Sequence, residues 1–129
     1  MAKEFTFRGK TIEQLKTLDT REFAKLTKSR TRRAILRQSS GIEGFVAKCI
    51  KYKAKNKQIK THLRDIIIVP KLVDYTVMIH NGKTFLPIPI IPEMLGHRLG
   101  EFALTRNKVK HGAAGIGASK SSMAKATKK

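Results

Sequence analysis

The sequence predicts an α+β fold: a small β-sheet of about three strands with a packed helix, short N-terminal helices and an extended basic C-terminal tail. Three observations predict it. Residues 75–90 hold two β-forming runs around Asn81-Gly82, the dipeptide preferred in tight hairpins. Ile42, Phe45, Val46, Cys49 and Ile50 recur at i, i+3, i+4, i+7 and i+8, a continuous helical stripe. From Lys110 onward the chain is mostly Gly, Ala, Ser and Lys, a composition that cannot bury a core.

The elements follow in order. Residues 11–18 read as a short helix, with Thr11 as N-cap, Gln14 as its partner three residues on, and Ile12, Leu15 and Leu18 as the apolar face. A second short helix starts at Asp19 or Thr20 and carries Phe23 and Leu26. Helices this short are marginal in water and need a docking surface. Residues 28–37 are dominated by Lys28, Arg30, Arg32, Arg33 and Arg37, and Ser39-Ser40-Gly41 reads as a turn. The striped helix then begins with Ser40 as N-cap and Glu43 reaching back, and it frays into the basic linker 53–57.

Residues 59–63 alternate, with Ile59, Thr61 and Leu63 facing inward and Lys60 and His62 outward, as in a strand with one wet face. Ile66 to Val69 is a buried stretch stopped by Pro70. In the hairpin, a strict two-residue loop pairs His80 with Lys83 and sets Thr76 opposite Pro87 at a hydrogen-bonded position. Pro87 has no N–H to give, so either the pairing ends before it or a bulge after Gly82 shifts the register by one. Pro87 and Pro89 are two apart, so their missing donors face one way, which suits an edge strand. Pro92 to Leu95 forms a single helical turn ended by Gly96.

The chain has 129 residues and a net charge of +19, distributed unevenly. Residues 1–27 carry +2, 28–64 carry +11, 65–102 carry −1 and 103–129 carry +7. A nearly neutral apolar block therefore lies between two basic tracts, as expected of a small core laid along a polyanion. The one cysteine, Cys49, excludes a disulfide framework and a multi-cysteine zinc site. The longest aliphatic run, Ile66 to Val69, is too short to span a bilayer, and the N-terminus lacks a secretory apolar region. A soluble, reducing, cytoplasmic setting is expected, with no membrane partner.

No constellation promises catalysis. His62, His80, His97 and His111 are scattered along the chain without a second ligand at metal spacing, so no metal and no cofactor is expected. Gly112 and Gly117 have the spacing of a phosphate loop, but Ala118 stands where that loop needs lysine. The protein is read as a non-enzyme. Arginine is prominent in the first basic tract, which favours bidentate phosphate contact by Arg30, Arg32, Arg33 and Arg37, joined by Lys51, Lys53, Lys55 and Lys57. No single amphipathic recognition helix collects the basic residues, as a helix-turn-helix would. Aromatics are only 6%, and most Phe and Tyr read as buried, so a stacking surface is not expected. The composition suits backbone and shape recognition of folded RNA.

Residues 81–105 carry a long spaced pattern: Asn81-Gly82-Lys83, Ile90, Leu95-Gly96-His97-Arg98-Leu99-Gly100-Glu101-Phe102 and Thr105. This resembles the signature of the small-subunit ribosomal protein nineteen family, called protein fifteen in eukaryotes. Ile59-Lys60-Thr61-His62 and Ile67 to Pro70 resemble the family's first strand and its exit. The N-terminal helices and Lys108-Val109-Lys110-His111-Gly112 resemble its archaeal and eukaryotic branch.

The resemblance implies a mixed sheet with a helix, and a role as a structural constituent of the small ribosomal subunit head that binds small-subunit rRNA during translation. It implies ribosomal protein thirteen as a neighbour, a position near the bridge to the large subunit, and a tail extending toward the decoding region and A-site tRNA. It adds RNA-binding expectations for Lys60, His62 and Arg64 on the first strand and its exit, for Lys83, His97 and Arg98 in the signature, and for Thr105, Arg106, Lys108, Lys110 and His111 at the root of the tail. Gly96 and Gly100, lacking a Cβ, are expected to let the backbone approach closely or take positive φ. The chain divides into an N-terminal helical extension at 1–38, a ribosomal protein core domain at 39–105 and a basic tail at 106–129. The competing class is a free RNA chaperone or another nucleic-acid-binding basic protein.

Overall fold

Two capped short helices open the computed structural model, which describes residues 3–111. Ahead of them stands a two-stranded antiparallel ribbon, β1 (Thr6–Phe7) and β2 (Lys10–Thr11). Its turn places Arg8 and Gly9 both at positive φ. Nothing in the hydrophobic pattern announces so short a ribbon. Helix α1 (Ile12–Thr17) starts after Thr11, whose backbone N–H donates to Gln14 Oε1 at 3.2 Å. Helix α2 (Thr20–Leu26) starts after Asp19, held likewise by Glu22 Oε2 at 3.2 Å. The surface these helices require is the common core, where Leu15 and Phe23 are fully buried.

The basic tract 28–37 is a helix, α3 (Ser29–Arg37), and no turn follows it. Only Gln38 leaves helical geometry before α4 (Ser39–Ala54) begins. Gln38 N–H still bonds Ala34 O, and Ile42 N–H bonds Gln38 O, both at 3.0 Å. The expected Ser40–Glu43 cap is therefore corrected: Gln38 is the cap residue, and Ser40 lies inside the first turn. The stripe of α4 buries Ile42, Phe45, Val46 and Cys49 but leaves Ile50 54% exposed. Ile50 is rotated about 80° from Ile42 at 100° per residue, past the edge of the surface that covers the helix. Burial also raises the Cys49 thiol pKa to about 11, so the thiol stays protonated and inert at neutral pH.

The main sheet is mixed and three-stranded, in the order β3 (Ile59–Thr61), β4 (Thr76–His80), β5 (Phe85–Pro89). β3 runs parallel to β4 and β5 antiparallel to it. Ile59 and Thr61 are buried and Lys60 is exposed, but the strand ends before Leu63, which is 52% exposed. The Thr61 hydroxyl accepts the Leu63 N–H at 3.0 Å and turns the chain out of the sheet.

The hairpin register matches neither expected alternative. His80 pairs with Phe85 and Thr76 with Pro89, a shift of two across a four-residue loop. Asn81 Oδ1 accepts the N–H groups of Lys83 and Thr84 at 3.0 and 2.7 Å, and only Gly82 takes positive φ there. Bonded pairs Asn81–Thr84 and Tyr75–Ile90 bracket the ladder. Alternation then puts Pro87 and Pro89 at non-bonded positions, with their missing donors on the free outer edge of β5. The edge-strand reading holds.

Helix α4 packs against β3 of the sheet and against the 3-10 turn Pro70–Leu72, which also touches α1. The apolar stretch Ile66 to Val69 is buried throughout. The segment 96–100 zips onto it: Gly96 N–H to Ile68 O, Ile68 N–H to His97 O, Leu99 N–H to Ile66 O and Gly100 N–H to Arg64 O, at 2.8–3.1 Å. Gly96 takes φ +82, at the end of the 3-10 turn Pro92–Met94. A Cβ on Gly100 would meet Arg64 O at 2.9 Å. Both glycine expectations are met, one through conformation and the other through close approach. The core is a single cluster from Leu15 to Ala103, shared by all four helices and the sheet.

Candidate nucleic-acid interface

Helix α3 sorts its arginines by face. Arg30, Arg33 and Arg37 lie at i, i+3 and i+7 and line one cleft with Ala34, Gln38 and Arg98. The cleft has a volume of about 460 Å³. The 64–68/96–100 zipper brings Arg98 there, and its Nη1 donates to Asp65 O at 2.9 Å. Gln38 Nε2 donates to Asp65 Oδ2 at 3.1 Å. No carboxylate lines the cleft, and among the described residues none of these four arginines pairs with one. Each of the four guanidinium groups around this concavity is a planar fork of the kind that can bind phosphate oxygens in pairs.

Arg32 points the other way. Its guanidinium donates to the carbonyls of Ala24, Lys25 and Thr27 at 3.2–3.3 Å, capping the C-terminal end of α2. Arg64 is committed more completely. Nη1 donates to His80 O at 2.6 Å, and Nη2 to Gly100 O and Ala103 O at 2.9 and 2.6 Å. That half-buried clamp ties the end of β4 to the 3-10 turn Leu99–Phe102.

The lysines of α4 form a second basic surface. Lys51 is exposed, as are Lys55 and Lys57 beyond the helix. Lys53 Nζ lies 4.4 Å from the Tyr75 ring centroid and Lys48 Nζ 5.4 Å from that of Tyr52, so both ammonium groups rest on ring faces beside the solvent. Lys83 is exposed at the hairpin tip. His97 Nδ1 lies 2.8 Å from Glu101 Oε2, within hydrogen-bond distance of the carboxylate. Thr105, Arg106, Lys108, Lys110 and His111 are all exposed and outside regular structure. Residues 112–129, the remainder of the expected tail, lie outside the described residues.

The outer face of the sheet departs from the sequence reading. Phe23 and Phe45 are buried and Phe5, Phe7, Tyr52, Tyr75 and Phe102 pack partly buried against the core, but Phe85 stands on the solvent face of the sheet. Two of the histidines, far apart in sequence, meet ring against ring in a tilted contact. His62 and His80 have ring centroids 4.4 Å apart, and Phe85 stands 5.1 and 4.8 Å from them. Lys60 Nζ lies 5.5 Å from the Phe85 centroid. Phe85, His80 and Gln38 belong to these surfaces but carry no sequence signal, since each is recruited by a neighbour remote in the chain. Among the described residues no group of three His, Cys, Asp or Glu side chains could hold a metal ion, and no helix is long and apolar enough to cross a membrane.

The model of the family described as ribosomal protein S19 matches residues 29–111, well over half of the chain. The small ribosomal subunit protein uS19 of Methanocella arvoryzae is 48% identical over 120 residues, covering 93% of this chain and 84% of that relative.

Proposed function

The chain belongs to the ribosomal protein S19 family, in its archaeal type, and is a small-subunit ribosomal protein; how it does that work we propose as follows. It binds rRNA through the α3 cleft of Arg30, Arg33, Arg37 and Arg98 and through the exposed lysines that follow α4. It acts in translation as a structural, non-enzymatic part of a ribonucleoprotein. Arg32 and Arg64 contribute indirectly, by holding α2 and the signature turn that present those groups.

The observation that carries this reading is the cleft, in which three arginines of one helix and a fourth from the family signature face one concavity without a carboxylate. Such an arrangement repels itself unless a polyanion is present. On this reading the protein helps organise the subunit head near the intersubunit bridge, beside ribosomal protein thirteen. The basic residues from Arg106 onward extend toward the decoding region and A-site tRNA. Support for the tail's role comes from its charge, since residues 103–129 carry seven basic and no acidic side chains.

The test is binding of the full chain to small-subunit rRNA across a salt series, with co-sedimentation alongside. Neutralising about six phosphates loses roughly three decades of affinity between 50 and 200 mM salt. Near-stoichiometric recovery with the small subunit at moderate salt is the expected companion result. A flat salt profile defeats the phosphate reading. A protein mostly free of the subunit points instead to an RNA chaperone.

A further inference from the structure

The solvent face of the sheet has the makings of a second kind of RNA contact. Its side chains come from three strands: Lys60 and, just past its end, His62 on β3; Thr76, Met78 and His80 on β4; Phe85 and Pro87 on β5. None is acidic. His62 is exposed, and His80 and Phe85 are half-exposed. The rings hold one another in tilted and edge-to-face contacts. His80 is fixed further, because its Nδ1 accepts the Gly82 N–H at 3.0 Å. Next to the rings a groove of about 420 Å³ runs past Met78, Pro87 and Thr76 to Asn56, Lys57 and Gln58.

We propose that this face is a stacking platform for an unpaired RNA segment: the rings of His62, His80 and Phe85 take one base, Lys60 holds its phosphate, and the groove beside Met78 and Pro87 receives the adjoining nucleotide. The inference rests on the RNA-binding reading and deepens it, from phosphate contact to contact with bases. Stacked rings beside ammonium groups match the two halves of a nucleotide, a flat π surface and an anion. A protein partner fits less well, since the apolar area is small and its rim is cationic at Lys57 and Lys60. Ring–ring and ring–backbone contacts hold the platform before any ligand arrives, so little order is lost on binding.

The experiment uses the full chain and two probes, a short single-stranded RNA of mixed sequence and a duplex RNA of equal length. Affinities are read by anisotropy over a salt series. His62→Ala and Phe85→Leu should each weaken the single-stranded probe about tenfold at unchanged salt slope, because base stacking releases no counterions. The duplex should lose less than twofold. Lys60→Gln should instead lower the salt slope by about one on the single-stranded probe.

His62 is exposed, so its variants test the site without disturbing the core, and His62→Tyr should restore the affinity that His62→Ala loses. Equal losses on both probes, a changed slope in the ring variants, failed rescue by tyrosine, or unchanged binding throughout would each overturn the platform. In the last case a protein neighbour becomes the better occupant. A wild-type chain that binds neither probe overturns the RNA reading itself and the platform with it. Wild-type binding that is indifferent to the ring variants overturns the platform alone.

Discussion

Replacing Arg64 by alanine removes three hydrogen bonds from one guanidinium to the carbonyls of His80, Gly100 and Ala103, at 2.6–2.9 Å. A hydrogen bond involving a charged group contributes about 1.5–3 kcal/mol. The clamp is half-buried, so water can partly replace the lost donors, and the low end of that range applies. Three bonds at that low end give an expected loss of about 4–5 kcal/mol, which for a chain of this size lowers the melting temperature by roughly 15–20 °C. Arg64→Lys should recover only a minor part, because one ammonium cannot reproduce the planar fork that serves three acceptors. The assay is thermal unfolding of the full chain, paired with the salt slope of rRNA binding below the transition. The clamp reading requires a large stability loss with an unchanged slope. A melting shift under about 2 °C together with a slope reduced by about one would refute it and make Arg64 a phosphate ligand.

Three further outcomes are expected. Gly100→Ala drives a Cβ to 2.9 Å from Arg64 O and 3.0 Å from Arg64 Cβ. It should cost about 1–3 kcal/mol, read as a shift in urea midpoint. Arg30→Gln, Arg33→Gln and Arg37→Gln should each lower the rRNA-binding salt slope by about one with melting within roughly 2 °C of wild type, whereas Arg32→Gln should lower melting and spare the slope. The Cys49 thiol is raised by burial to about 11, so between about pH 9 and 11 the folded chain keeps a proton that the unfolded chain has lost. Stability should therefore fall as pH rises through that window. Wild type should lose on the order of 1–2 kcal/mol more than Cys49→Ala between pH 8 and 10.5 in urea unfolding.

Legibility in the sequence followed the range of the interaction. The starts of α1 and α2 were readable because a cap is settled within four residues. Helix α3 was not, because only Ile35 of its nine residues is buried, so its helical face is drawn by charge rather than by an apolar stripe. The Ser39-Ser40-Gly41 turn failed for a related reason: Gln38, whose N–H bonds Ala34 O and whose carbonyl accepts Ile42 N–H, is the single residue between one helix and the next. The edge position of β5 was legible from the spacing of Pro87 and Pro89, but the register was not. The Asn81 side chain chose a four-residue loop, and nothing local excludes the shorter one.

The interface divides in the same way. Its charge and its family were legible in the sequence alone, through the uneven distribution of lysine and arginine and the spaced signature of residues 81–105. Which guanidinium is spent on backbone carbonyls was decided only by the tertiary structure. Arg32 and Arg33 are neighbours of the same chemistry, yet one caps α2 and the other lines the cleft. Arg64 follows the RNA-facing strand pattern but closes on three carbonyls. His62, His80 and Phe85 become one surface only after parallel and antiparallel pairing set three strand ends side by side. Composition fixes how many charges and rings a chain owns. Unpaired carbonyls and strand register, which exist only in the folded chain, decide which of those groups are used internally and which are left for RNA.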